Sequence, residues 1–309
     1  MATVAGQRAA AALARASLVG RLPPTSFFLT SALFHYFGPA LAVLLFAHVA
    51  ALGVMWLRVV TAALIFAAWR RPWRILARLG GRDRGVLLGL GVLLAAMNSL
   101  FYLAVARLPL ATVGAIEFLG TIALATLGVR TLRNLGALVI TVVGAVMLTA
   151  FKVASDPLGF VFAFGNCACF MGYVVLGHRI ANVQVSAPDR RSNLMTGIDQ
   201  LGASMIIAAL VATPIGIGAA LPAFGRPSWL LWGVAVGVCS SVIPYVTDQL
   251  AMARLPRATF ALMLALLPAC ATVIGAVVLH QVPTWEDLAG ITLVIAGLLV
   301  HQVPQVDGA

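Results

Sequence analysis

Charge is what this chain has least of. Only 9% of its 309 residues are Asp, Glu, Lys or Arg, where soluble domains carry about 25%, so it cannot cover a water-facing surface. With 62% hydrophobic residues and a mean hydropathy of +1.04, its solvent must be mostly lipid. Lysine is scarcer still: Lys152 is the single one, against 19 Arg. The formal charge of +11 would suit a nucleic-acid partner. The arginines, however, sit in short connections between apolar runs, which is a pattern of membrane topology and argues against nucleic acid. The four cysteines, Cys167, Cys169, Cys239 and Cys270, all lie inside apolar segments and read as small buried hydrophobes, with no metal or redox role. Also missing are a His-Glu-x-x-His zinc signature, a Gly-x-Ser-x-Gly elbow and a Gly-x-x-x-x-Gly-Lys-Ser/Thr nucleotide loop. These absences argue against a membrane-embedded hydrolase and against ATP-driven transport. No catalytic residue, metal or cofactor is assigned.

What is present is a series of apolar runs. A spanning helix needs about 20 predominantly apolar residues. Arg, Pro and Gly punctuation divides the chain into ten predicted spans, near 27–47, 50–69, 85–106, 109–129, 134–151, 157–178, 194–218, 228–250, 256–279 and 285–303. The expected fold is therefore all-α, a polytopic membrane protein of ten transmembrane helices. The run from 85 to 129 is too long for one span, and Leu108-Pro109 is where it should turn. With the N-terminus inside, sixteen of the twenty basic residues fall in inner segments. Arg107, Lys152 and Arg226 fall outside, and Arg58 lies within the second span. Positive charge is retained on the cytoplasmic side, so both termini are expected there. Residues 1–26, with Arg8, Arg15 and Arg21, read as a cytoplasmic tail whose arginines interrupt any cleavable signal; 304–309 is a second short tail.

The chain also repeats itself. Residues 103–112 read LAVARLPLAT and residues 250–259 read LAMARLPRAT, identical at eight of ten positions. GALVITVVGAV from Gly136 is echoed by AGITLVIAGLL from Ala289. Units of five spans contain an odd number of crossings, so the second copy (153–303) must enter the membrane inverted relative to the first (27–152). Inverted repeats are a common plan of secondary transporters, with the substrate site at the repeat interface near the midplane.

Four ionisable residues fall inside predicted spans: Arg58, Glu117, Asp199 and Asp248. A charge at a helix centre costs about 2.5–3.5 kcal/mol on insertion scales, so each should face a partner or a wet cavity. Glu117 lies eight residues after Pro109, about 12 Å into the membrane, where a carboxyl can carry a proton or bind an amine; the bland alternative is an ion pair with Arg58. Asp248 follows Pro244, whose missing N–H frees carbonyls that often line a cavity. Matching GVMWLRVVTAA with LMTGIDQLGAS puts Arg58 and Asp199 in register, which suggests a pair across the repeat interface. Asn98 and Tyr102 are four apart and share a helix face. Gly38-Pro39 suggests a broken or kinked first span and a gate, with Pro244 and Pro268 as further helix breaks.

At Arg58, MNSLFYLAVARLPLATVGAIEFLG (97–120) and SVIPYVTDQLAMARLP (241–256) the chain resembles the EamA-type members of the drug/metabolite transporter superfamily, and among them the threonine/homoserine exporter branch. It departs from that pattern at Gly120-Thr121 and at Leu267 before Pro268. The resemblance implies an inner-membrane exporter of an amino acid or related small metabolite, driven by protons, with Glu117 and Asp248 in the family's acidic positions. Its partners would be that small molecule, protons and the lipid bilayer; pairing into a homodimer is left open. The competing readings are a transporter-derived sensor or binding subunit that does not translocate, and a membrane-embedded enzyme.

Overall fold

The structure is a computed structural model that describes residues 23–74, 80–128, 131–149, 156–183, 190–252 and 266–300. Every regular element among these residues is helical. In chain order they are α1 (Pro24–Leu45), α2 (Ala51–Arg70), α3 (Gly81–Val105), α4 (Leu110–Gly128), α5 (Leu132–Thr149), α6 (Pro157–Val183) and α7 (Arg190–Phe224). Then come α8 (Pro227–Gly237), a π turn (Val238–Val242) that runs straight into α9 (Ile243–Met252), and finally α10 (Leu267–Leu279) and α11 (Trp285–Val300).

Six stretches are long and apolar enough to cross a membrane: Thr25–Leu45, Ala51–Arg70, Asp83–Val105, Pro157–Leu176, Gly197–Phe224 and Pro227–Asp248. Shorter apolar helices lie at Leu110–Gly120, Leu132–Leu148 and Leu267–Leu279. Large apolar side chains such as Leu64, Val139, Val161, Leu210 and Val277 point out of the bundle. So many exposed apolar residues suit lipid rather than water. The chain is a polytopic α-helical membrane protein.

Local chemistry sets the helix ends. Asp156 caps α6, accepting from the Gly159 N–H at 3.0 Å. Thr131 caps α5, accepting from the Asn134 N–H at 3.2 Å. Thr284 and Asp287 form a reciprocal capping box at the start of α11: the Thr284 N–H donates to Asp287 Oδ2 at 3.1 Å, and the Asp287 N–H to Thr284 Oγ1 at 3.3 Å. Left-handed residues, Arg71 (φ 52°) and His280 (φ 55°), stop α2 and α10. After His280, the Gln281 N–H closes onto the Gly275 carbonyl, and the Gln281 side chain accepts the orphan Leu110 N–H of α4 at 3.1 Å.

Helix packing follows small residues. α2 lies on α7, where Gly53 meets the backbone of Ala219 and Ala220, and Gly216 meets Leu52 and Trp56. α5 lies on α11, where Gly144 meets Gly290, and Gly297 meets Ala137 and Thr141. Between these pairs α3 packs on α6 and α7, α1 on α9 and α10, and α4 on α5, α6 and α10.

One expectation needs correction. The first span is not broken at Gly38-Pro39: α1 stays helical through Pro39. Proline removes one backbone hydrogen bond, and packing against the π turn and α9 on one flank and α10 on the other holds the rod together. Pro268 sits in the first turn of α10, where its missing N–H costs nothing; the part of the ninth span before residue 266, where the break was expected, lies outside the described residues. Pro244 also lies within continuous helix, but the π turn comes directly before it. The N-terminal tail as far as residue 22, the repeat motif beyond residue 252, the first part of the ninth span and the C-terminal tail lie outside the described residues.

Candidate functional site

Arg58, midway along α2, is only 6% exposed, and a guanidinium that far from water needs acceptors. They come from the π turn. Arg58 Nε donates to Ser241 Oγ at 2.8 Å, and Nη2 donates to the Ser240 carbonyl at 3.1 Å. That carbonyl is available for a covalent reason. In an α-helix it would accept the N–H four residues on, and that residue is Pro244. The Ile243 N–H instead reaches five residues back, to the Val238 carbonyl.

Glycines let these groups converge. A Cβ on Gly38 of α1 would strike the backbone and hydroxyl of Ser240, and one on Gly237 would strike Thr61 and the Arg58 carbonyl. The far side of the guanidinium lies over the Tyr102 ring of α3, 5.4 Å from its centroid, a cation–π contact. No carboxylate pairs with Arg58 among the described residues.

Glu117, on α4, is held by α6. Asn166 Nδ2 donates to Glu117 Oε2 at a long 3.4 Å. The two helices approach where Gly120 fits against Cys167 and Met171. One turn before Glu117, the hydroxyl of Tyr36 from α1 lies over Gly114. The ion pair with Arg58, weighed above as the bland role for Glu117, does not form: the two residues have different partners.

Among the described residues, four buried side-chain atoms have no hydrogen-bond partner: Tyr36 Oη, Tyr102 Oη, Asn166 Oδ1 and Ser240 Oγ. Buried polar groups are ordinarily paired, so four orphans in one region call for a physical account. All four belong to residues that contact Arg58, Glu117 or the helix turns beside them. A region with so many unmet donors and acceptors can exchange them with a small polar molecule.

The other expected residues divide. Asp248, on α9, lies within hydrogen-bonding reach of Ser31 on α1, whose hydroxyl also donates to the Pro244 carbonyl at 3.2 Å. It thus borders the same α1–α9 seam. Asn98 is buried but its amide donates to the Leu94 carbonyl of its own helix at 2.7 Å. Asp199 does not meet Arg58. It forms a two-point ion pair with Arg70, Nε to Oδ1 at 2.6 Å and Nη2 to Oδ2 at 3.1 Å. Arg70 lies twelve residues beyond Arg58 on α2, about 18 Å along the helix axis. The register match placed Asp199 beside α2 but at the wrong level.

Ser240, Ser241 and Asn166 are the residues that sequence reasoning missed. A Ser-Ser pair shortly before an intramembrane proline, and a single Asn in an otherwise apolar sixth span, were the available signals.

Comparisons with known proteins bear on the same chain. The model of the EamA-like transporter family matches residues 157–301. The threonine/homoserine exporter RhtA of Escherichia coli (strain K12) is 33% identical over 262 residues, 84% of each chain. Its namesake from Salmonella typhimurium (strain LT2) is 31% identical over 277 residues, 87% of this chain and 89% of that one. A crystal structure of a protein 19% identical in sequence superposes with a TM-score of 0.58, over 90% of this chain and 97% of its own, and bears on the fold alone.

Proposed function

Because the chain belongs to the EamA-like transporter family, and is thus a membrane transporter of small metabolites rather than an enzyme, we propose that it exports an amino acid of the threonine or homoserine kind in exchange for protons. The observation that carries this reading is Glu117. It is a carboxyl set among core helices, with one long bond from Asn166 and no cationic partner among the described residues. Such a group needs a positive companion, and a proton and the ammonium of an amino acid are the two on offer. Asp248, beside Ser31, supplies a second carboxyl on the α1–α9 seam.

The architecture we propose is ten spans in two inverted five-helix repeats, 27–152 and 153–303, with both termini cytoplasmic. The pattern of helix neighbours supports it. Exchanging the halves turns α3–α6 into α1 with α8–α9, α3–α7 into α2–α8, and α4–α6 into α1–α10; α2–α7, α4–α10 and α5–α11 map onto themselves. The capping threonines agree, since Thr131 and Thr284 are 153 residues apart, the same offset that relates Gly136 to Ala289. Contacts between helix ends fall into two sets as alternating rods require. One holds Arg70–Asp199 and the bond from Arg133 to the Val300 carbonyl. The other holds Arg107–Asp156, Gln281–Leu110 and the stack of His48 on Trp229. The first set lies on the Arg-rich, cytoplasmic side.

The test is flux in inside-out vesicles containing the full chain, with labelled L-threonine and L-homoserine, with and without a pH gradient. Uptake should follow the gradient in the parent protein and ignore it in Glu117→Gln. Flux that responds to neither the gradient nor the substitution would defeat the coupling.

A further inference from the structure

Among the described residues, the unused polar groups near Glu117 include a pure acceptor as well as the Tyr36 hydroxyl, whereas those around Arg58 are all able to donate. Beside Glu117 the orphan belonging to its own hydrogen-bond partner is Asn166 Oδ1, which can only accept. Around Arg58 they are donors. Two of its five N–H groups are taken by Ser241 and the Ser240 carbonyl, and no carboxylate pairs with the others among the described residues. Tyr102 Oη and Ser240 Oγ, both hydroxyls that can donate, are buried there without partners. A cation among unused donors, with no carboxylate in ion-pair contact among the described residues, is built to receive an anion.

We propose that Arg58, Tyr102 and Ser240 form a subsite for a carboxylate carried by the cargo, and that Pro244 is the positioning residue that keeps it ready. Proline supplies no N–H to the Ser240 carbonyl, so that carbonyl holds Nη2, while Ser241 holds Nε. The guanidinium is thereby held by Ser240 and Ser241 and set over the Tyr102 ring. Its remaining Nη hydrogens form a planar donor pair that matches a carboxylate. The hydroxyls of Tyr102 and Ser240 complete the cradle. An alanine at 244 would return an N–H to the helix, compete for the Ser240 carbonyl and let the guanidinium swing. The proposal rests on the transport reading only in supposing that there is a cargo, and it concerns Arg58 and not Glu117.

The experiment is ligand-dependent thermal stabilisation of the purified full-length protein. The probes are L-threonine, its decarboxylated analogue 1-amino-2-propanol and its deaminated analogue 3-hydroxybutyrate. Threonine and 3-hydroxybutyrate should stabilise the protein, and 1-amino-2-propanol should not. Pro244→Ala and Tyr102→Phe should each raise the half-saturating concentration of both carboxylates about tenfold and erase the preference over the amine. A merely structural role would not shift that preference. The proposal is overturned if no carboxylate stabilises the parent protein, if 1-amino-2-propanol matches threonine, or if both variants keep the parent's affinities. Carboxylate binding without vesicle flux would uphold the subsite and sink the transport reading. Flux of the decarboxylated amine as fast as threonine would do the reverse.

Discussion

The α2–α7 and α5–α11 pairs contrast with the seam that joins α1 to the π turn and α9, and α4 to α6. In the two pairs, glycines bring backbones into contact and the polar side chains are satisfied. Trp56 Nε1 donates to Thr213 Oγ1 at 3.0 Å, Thr141 bonds the Ala137 carbonyl of its own helix, and Asp199 is paired with Arg70. Along the seam, by contrast, among the described residues, the Arg58 cation has no ion-pair partner, a carboxyl has one long bond, and four buried polar atoms have no hydrogen bond. Unsatisfied buried groups cost about 1–3 kcal/mol each. A chain that can satisfy its polar groups in one place and leaves them unsatisfied in another separates scaffold from working surface. On the architecture proposed above, the pairs would hold the two repeats together, and the seam would be where they exchange one set of partners for another.

The contrast is broken most directly at Glu117. Glu117→Gln keeps the shape and the hydrogen-bonding reach toward Asn166 but removes the negative charge. We expect pH-gradient-driven flux to fall at least tenfold while the melting temperature changes little, because the carboxyl forms no ion pair among the described residues. A large loss of stability instead would mean that the carboxyl belongs to the scaffold. The next largest effect should come from the opposite region. A Cβ at Gly144 would lie 2.6 Å from the Gly290 carbonyl and 2.9 Å from Leu293. Gly144→Ala should therefore destabilise by about 1–3 kcal/mol, as overpacking does. Melting by intrinsic fluorescence would read it, and half-saturation for cargo should stay unchanged.

The long rods were legible because an apolar run of the required length has few other uses. Expected and observed limits agree within a few residues at both ends of α2 and at the starts of α4 and α5. Arg58, Glu117 and Asp248 were legible for a related reason: a charge among apolar neighbours announces itself. Their partners were not. Ser240 and Ser241 lie 182 and 183 residues from Arg58, and only the packed fold brings them near. The π turn was hidden because one extra residue in a helix barely disturbs the run of apolar side chains. Pro39 misled because the cost of a missing hydrogen bond was visible and the packing that offsets it was not. Asp199 misled because aligning repeats locates a helix neighbour, while the side chains of Arg70 and Asp199 choose the level at which the pair forms. The ten-span count and the orientation stay as proposals that labelling of Arg107 against Arg254 would test: the two should report opposite faces.

Two smaller effects sharpen the contrast from either side. Ser241→Ala removes the acceptor of Arg58 Nε. A hydrogen bond to a charged group is worth about 1.5–3 kcal/mol, but Arg58 keeps the Ser240 carbonyl and the Tyr102 face. The expected result is a several-fold rise in half-saturating cargo concentration at nearly constant maximal flux, since the guanidinium is misaimed rather than lost. Asp199→Asn should do less. Both members of its ion pair are 23% exposed, and pairs with access to solvent contribute about 1 kcal/mol or less. Asn can still accept from Arg70, so the helices stay in register. We expect a melting shift of a degree or two, and a half-saturation and gradient dependence equal to the parent's. If Asp199→Asn instead uncoupled flux from the pH gradient, the α2–α7 pair would carry protons as well as load, and the division between scaffold and working surface would fail at its firmest point.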